Sequence, residues 1–289
     1  MTNKMKALSI VGLLLFLNLQ SYGQTITGKV VSASNNEPLI YASIGVIETS
    51  FGTITNEEGY FNLEIKGIPV NSQVRFSMVG FKSKTFTIED LSKKDNILQL
   101  ESETYKLTEV IVNPAGKTRK VGTTSFTFRG GVCGWGGTQT GKGWEVGTKI
   151  ELGDLPGRLK SLHIRVNNQS YDSTLFRLHI RNIVEDLPLD ELLNNNILIS
   201  LTKETGWIET DLSKYNLVFE GDIAISLEWI KIVGMDSNKF ITVNGEKQLT
   251  AGVTFDKKRN QGCLYTKWGT EAKWVRHDNG SPSIYLIVQ

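Results

Sequence analysis

Residues 52–86, GTITNEEGYFNLEIKGIPVNSQVRFSMVGFKSKTF, decide the class of this chain. Within 59–66 the apolar Phe61, Leu63 and Ile65 alternate with Asn62, Glu64 and Lys66, the period of two that marks a half-buried strand. Val74, Phe76 and Met78 repeat the alternation, Gly80 interrupts it, and residues 84–88 resume it. Asn56-Glu57-Glu58-Gly59 is the turn that feeds the first of these strands. Asn can bond its own backbone there, and Gly accepts a positive φ that a side chain resists. The stretch reads as a small antiparallel unit of strand, turn, strand, loop, strand, turn, strand.

Working outward, residues 25–31 and 41–47 are strands separated by the turn Ser34-Asn35-Asn36-Glu37-Pro38, and residues 97–100 and 110–112 are the returning strands. About seven short strands with turn signals every 8 to 12 residues or so describe a β-sandwich of about 90 residues. The second half continues in strands: 159–166, 174–180, 197–202, 206–212, 222–232, 239–243 and 283–288. Only residues 187–195 read as a helical turn. Residues 159–166 and 174–180, joined by the short loop around Gln169-Ser170-Tyr171-Asp172, read as an antiparallel hairpin. The expected fold is all-β throughout, with the second half a jelly-roll-like sandwich.

Four motifs in order, Ile26-Thr27-Gly28-Lys29-Val30, Pro38-Leu39 with Ala42-Ser43-Ile44, residues 52–56 with Gly59-Tyr60-Phe61, and Ser77-Met78-Val79-Gly80-Phe81, resemble the carboxypeptidase-regulatory-like domain. They are closest to the version that opens exported and outer-membrane-associated proteins of Gram-negative bacteria. Asn56 stands where that family usually has Asp. The resemblance implies a non-catalytic, prealbumin-like, seven-stranded β-sandwich over residues 24–112. Residues 106–112 are similar to the segment that joins this domain to the plug of starch-utilisation-type TonB-dependent transporters. Too few residues follow for a plug and a barrel, so the segment is read as the last strand of the sandwich. The expected organisation is a signal peptide at 1–23, the sandwich at 24–112, a linker at 113–120 and the second sandwich at 121–289.

The signal-peptide reading rests on Lys4 and Lys6, the apolar run 7–19, and small residues at Ser21 and Gly23. That run is short for a membrane span, and no later run reaches such a length, so the mature chain is expected to have no transmembrane span. The expected location is exported: periplasm, outer-membrane-associated or cell surface. With 289 residues, 39% of them apolar, the chain can fill one large or two modest cores. A formal net charge of +2 gives no broad basic surface for nucleic acid. Cys133 and Cys263 either close one bridge around a loop of about 130 residues or remain two buried thiols.

Three features are candidates for function. All six tryptophans lie in the second half. Trp135, Trp144, Trp268 and Trp274 sit in Gly- and Lys-rich segments and are candidate sugar-stacking residues, whereas Trp207 and Trp229 lie within strands and are expected in the core. Residues two apart share a face of a strand, so the hairpin would gather His163, Arg165, Arg177, His179 and Arg181 into one basic face; it would either bind an anionic surface or stand solvated. Catalysis is the third. None of the three histidines stands in a His-x-x-Glu pair, and neither a Gly-x-Ser-x-Gly elbow nor a phosphate-binding loop is present. Residues 130–137, GGVCGWGG, are read as a flexible loop because no helix follows. No cofactor and no metal are expected. The expected function is a non-catalytic binding or adhesion protein with a glycan or an envelope protein as partner; the alternatives are a structural or assembly component and, third, a glycan-active enzyme whose carboxylate pair would be close in space and not in sequence.

Overall fold

The computed structural model describes residues 23–92, 96–103, 116–128, 131–136, 142–202, 204–234, 240–243, 246–249 and 252–289. The signal-peptide residues 1–22, the strand expected at 110–112 and linker residues 113–115 lie outside them. The fold is all-β, built from sheets packed as sandwiches.

The first sandwich sets a three-stranded sheet against a four-stranded one. β1 (Gly23–Ser32) lies between β4 (Tyr60–Lys66), antiparallel to it, and β7 (Asn96–Leu100), parallel to it. That parallel pair departs from the all-antiparallel expectation. The second sheet runs β3 (Gly52–Ile54), β2 (Ser43–Val46), β5 (Gln73–Met78), β6 (Phe81–Thr87). One helical turn, α1 (Ile88–Leu91), follows, capped reciprocally by Thr87 and Asp90. Ile26, Val30, Ile44, Phe61, Leu63, Val74 and Phe76 fill the space between the sheets.

The quoted motifs have physical reasons. A Cβ on Gly28 would stand 2.4 Å from the Asn96 carbonyl oxygen, so β1 can be flanked on both sides only with glycine there. Asn56 Oδ1 accepts from the Glu58 and Tyr60 amides at 3.1 and 2.8 Å, and Gly59 has φ of +80°. The turn thus needs the side-chain oxygen of Asn and no charge. Buried Thr55 donates to the Leu39 carbonyl and accepts from the Ala42 amide, tying the second motif to the third.

In the second sandwich one sheet contains β13 (Leu187–Glu191), β12 (Ser173–Val184), β17 (Asp222–Val233), β10 (Glu145–Glu151), β21 (Leu264–Lys267) and β22 (Val275–His277), with β14 (Leu198–Thr202) also on β12. The opposed sheet is β23 (Gly280–Pro282), β20 (Gly252–Arg259), β11 (Gly157–Gln169), β24 (Ile284–Val288) and β8 (Arg119–Gly122). It is joined by β9 (Val132–Gly136) on β20 and by β15 (Gly206–Asp211) and β16 (Val218–Phe219) on β11. β18 (Phe240–Val243) and β19 (Glu246–Leu249) form a separate hairpin. Phe176, Leu178, Ile225 and Leu227 from the first sheet meet Leu162, Ile164, Phe255 and Leu286 from the second.

Four expectations are corrected here. β11 and β12 are consecutive but do not pair: the connection between them crosses from one sheet to the other, so they are not a hairpin. Alternation fixes a strand's faces and leaves its neighbour open. Residues 187–191 form a strand and not a helical turn. Residues 132–136, read as a loop, are β9, whose glycines admit close pairing: a Cβ on Gly134 would lie 2.2 Å from the Val253 carbonyl oxygen. Arg119 and Lys120, assigned to the linker, already belong to β8.

Candidate functional site

Period-two alternation places Phe176, Leu178 and Ile180 of β12 in the core and turns Arg177, His179 and Arg181 to the sheet's other face. The register then lines up charges across four strands: Arg177 opposite Glu228, Glu228 opposite Glu145, Glu145 opposite Lys267. Two carboxylates directly opposite one another repel. They are held by the cations around them. Arg177 Nη1 donates to Glu228 Oε2 at 2.8 Å, and His179 Nε2 lies 3.0 Å from the same oxygen. Arg181 grips Glu145 with both terminal nitrogens, at 2.6 and 3.2 Å, and Lys267 Nζ reaches it at 2.6 Å. Small residues, Ala224, Ser226 and Gly147, occupy the rows between and leave Arg181 its path.

This charged face is buried. Only 1% of Arg177 and 2% of Glu228 is exposed. The cover is the first sandwich. Ser43 Oγ donates to Glu228 Oε1 at 2.9 Å, while Arg177 donates to Ser43 Oγ at 3.2 Å and to the Tyr41 carbonyl. Thr270 Oγ1 donates to the Ile44 carbonyl at 2.8 Å, and a Cβ on Gly45 or Gly52 would come within 2.2 or 2.3 Å of that hydroxyl. The glycines of β2 and β3 therefore let the two halves close on each other.

Electrostatics follow from this packing. Burial pushes the Glu228 carboxyl up, but Arg177 and His179 overcome it and hold the group at about 2. Burial opposes ionisation of Glu145 too, and Arg181 and Lys267 keep it well below the usual carboxylate range. Burial and Arg181 disfavour charge on His179, yet Glu145 and Glu191 outweigh them and raise it above its ordinary value.

Where the two halves do not touch, a cleft of about 330 Å³ remains. The cluster is its floor; Arg75, Ser77, Phe81 and Ser83 come from the first sandwich, Glu271 and Trp274 from the second.

The predicted basic face is divided. Arg177, His179 and Arg181 lie in this cleft, while His163 and Arg165 are on the outer face of the opposed sheet. His163 stacks on Tyr285 at 4.4 Å, and Arg165 pairs with Asp256 at 2.8 Å and lies over Phe126. The four tryptophans are separated as well. Trp135 is in the core against Phe176, Trp229 and Phe255, its Nε1 donating to the Trp144 carbonyl. Trp144 is half-buried and edge-on to Trp268, which is 39% exposed. Trp274 covers Arg181 and Lys267 in the cleft. Trp229 is in the core as expected, but Trp207 is half-buried against Tyr285. No bridge forms between Cys133 and Cys263: both are buried thiols in separate clusters, and burial pushes the Cys133 thiol up to about 12.

Sequence reasoning missed Glu145, Glu228, Lys267 and Glu271. For Glu228 a signal existed, a single acidic residue inside the apolar run Ile223-Ala224-Ile225-Ser226-Leu227-Glu228-Trp229-Ile230. Such a residue needs a partner when its strand is buried on both faces.

The first β-sandwich is thus packed on a second. Residues 26–112 match the family model described as the CarboxypepD_reg-like domain. No curated protein matches the chain. Among the described residues no helix is long and apolar enough to cross a membrane.

Proposed function

We propose that this is an exported, non-catalytic binding protein of the bacterial envelope, with a glycan as the first candidate ligand and the cleft between the sandwiches as its site. The cleft carries the reading. Its volume falls at the lower end of the roughly 300–1,000 Å³ typical of ligand pockets, and charged groups converge on it from both halves. The site moves from the four dispersed tryptophans to this place. A glycan array probed with the purified protein, followed by tryptophan fluorescence on each hit, tests it. Ser83→Trp, at an exposed lining position, should block the cleft and abolish the hit, and Trp268→Ala should leave it intact. The opposite pattern would return the site to the Trp144–Trp268 pair.

One observation favours the assembly reading. Among the described residues β7 is paired on one side only, and Ile97 on it is 69% exposed. An open edge can accept a strand from another protein. Crosslinking from position 97 in whole envelopes, giving one discrete adduct while the array stays blank, would establish that reading instead.

A further inference from the structure

The cleft holds one pair of opposite charges that is only loosely closed, Arg75 with Glu271. The Glu271 side chain is 14% exposed, and its one ion-pair partner among the described residues is Arg75. Its nearest cation, Arg75 Nη1, is 3.7 Å away, beyond hydrogen-bond reach. Arg75 donates from Nη2 to Ser83 Oγ at 3.1 Å, which leaves Nη1 directed at Glu271 without closing on it. The rest of the floor is taken: Glu228 by Arg177, His179 and Ser43, Glu145 by Arg181, Lys267 and Ser226, Glu191 by His179.

We propose that Arg75 and Glu271 are the recognition pair of the cleft and together hold neighbouring hydroxyls of an uncharged sugar ring, with Arg75 donating to one and Glu271 accepting from it or the next. This rests on reading the cleft as the ligand site. A hydroxyl both donates and accepts, so it can stand between a guanidinium and a carboxylate that do not reach each other. The class follows from charge balance. Arg75, Arg177, His179, Arg181 and Lys267 face Glu145, Asp190, Glu191, Glu228 and Glu271, so the lining is close to charge balance and offers no excess charge to neutralise an ionic ligand. Phe81 and Met78 supply an apolar wall for the C–H face of a ring.

The carboxyl adds a signature. Burial pushes Glu271 up, Lys267, Arg75 and Arg181 pull it down, and Glu145 pushes it up again, leaving it above its ordinary value. It accepts from a hydroxyl best when ionised, so affinity rises as the pH rises through this value.

The test is calorimetric titration of the purified protein with methyl α-mannopyranoside, methyl β-galactopyranoside, methyl β-glucopyranoside and methyl β-glucuronide at about pH 5 and about pH 8. The expected result is that a neutral hexoside binds, more tightly at the higher pH. Glu271→Gln, nearly isosteric and checked for an unchanged melting midpoint, should lose about tenfold or more in affinity and lose the pH dependence, because a hydrogen bond to a charged acceptor is removed. A hexoside that binds wild type and Glu271→Gln equally overturns the pair, while the cleft reading stands if Ser83→Trp still abolishes binding. Glucuronide bound more tightly than every neutral sugar overturns the uncharged class. Binding of none of the four at millimolar concentration overturns the pair and the cleft reading together.

Discussion

The two faces of β12 are both buried, and by opposite physics. On one, Phe176, Leu178 and Ile180 pack into the core between the sheets. On the other, Arg177, His179 and Arg181 are buried against Glu145, Glu191 and Glu228, with the first sandwich closed on Arg177 and the cleft above His179 and Arg181. The apolar face is stabilised by area removed from water and carries no group that titrates. The charged face has lost its hydration and stands only while every partner is present. An apolar/polar alternation therefore identifies which residues share a face. It does not say that the polar face is wet.

Single truncations should break both faces by comparable amounts. Phe176→Ala should cost about 3–5 kcal/mol through the cavity it leaves. Glu228→Ala should cost a similar 3–5 kcal/mol or so, because Arg177 loses its only carboxylate partner among the described residues while His179 keeps only Glu191. Denaturant titration at neutral pH measures both. The faces then separate on paired substitution. Glu228→Leu combined with Arg177→Met should be less damaging than the sum of its parts by roughly 1 kcal/mol or more, whereas Phe76→Ala in the first core should add to Glu228→Ala with little coupling.

Acid should reach one face alone. Glu228 is held at about 2 against an ordinary 4.5. A depressed carboxylate contributes stability that is fully present above its unfolded value and is lost as the pH falls through its folded one. Wild type should lose stability steadily from about pH 5 to about pH 2, and Glu228→Gln, destabilised at neutral pH, should show a flatter acid limb. Phe176→Ala should keep the wild-type slope. The smallest effect belongs to the rim of the interface, where exposed Lys231 pairs with exposed Glu57 at 2.7 Å. Lys231→Ala should leave the melting midpoint unchanged within error.

Much of the fold was legible because strand alternation and turn chemistry are local. Phe61, Leu63 and Ile65, the Asn56–Gly59 turn and Gly28 could be read where they stood. The pairing of strands was not, because β11 and β12 show the same alternation whether they pair with each other or face one another across a core. The site was legible by halves. Arg177, His179 and Arg181 were correctly placed on one face, but their partners Glu145, Glu228 and Lys267 come from three other strands whose register depends on the whole sheet. Trp135 was misplaced because its glycine neighbours suggested a loop, while their real effect is to let β9 press against β20 and carry the indole inward.

The division of the basic face is tested most directly by NMR titration of the histidine side chains. His179, among buried carboxylates, should titrate above the ordinary 6.5, and His163, disfavoured by burial against Tyr285, should titrate below it. Assignments come from His179→Gln and His163→Gln. That order would place His179 among the buried carboxylates of the charged face of β12 and His163 apart from them. Both histidines titrating together near 6.5 would mean that the face is open to water, and would contradict the packing of the two sandwiches and the cleft between them.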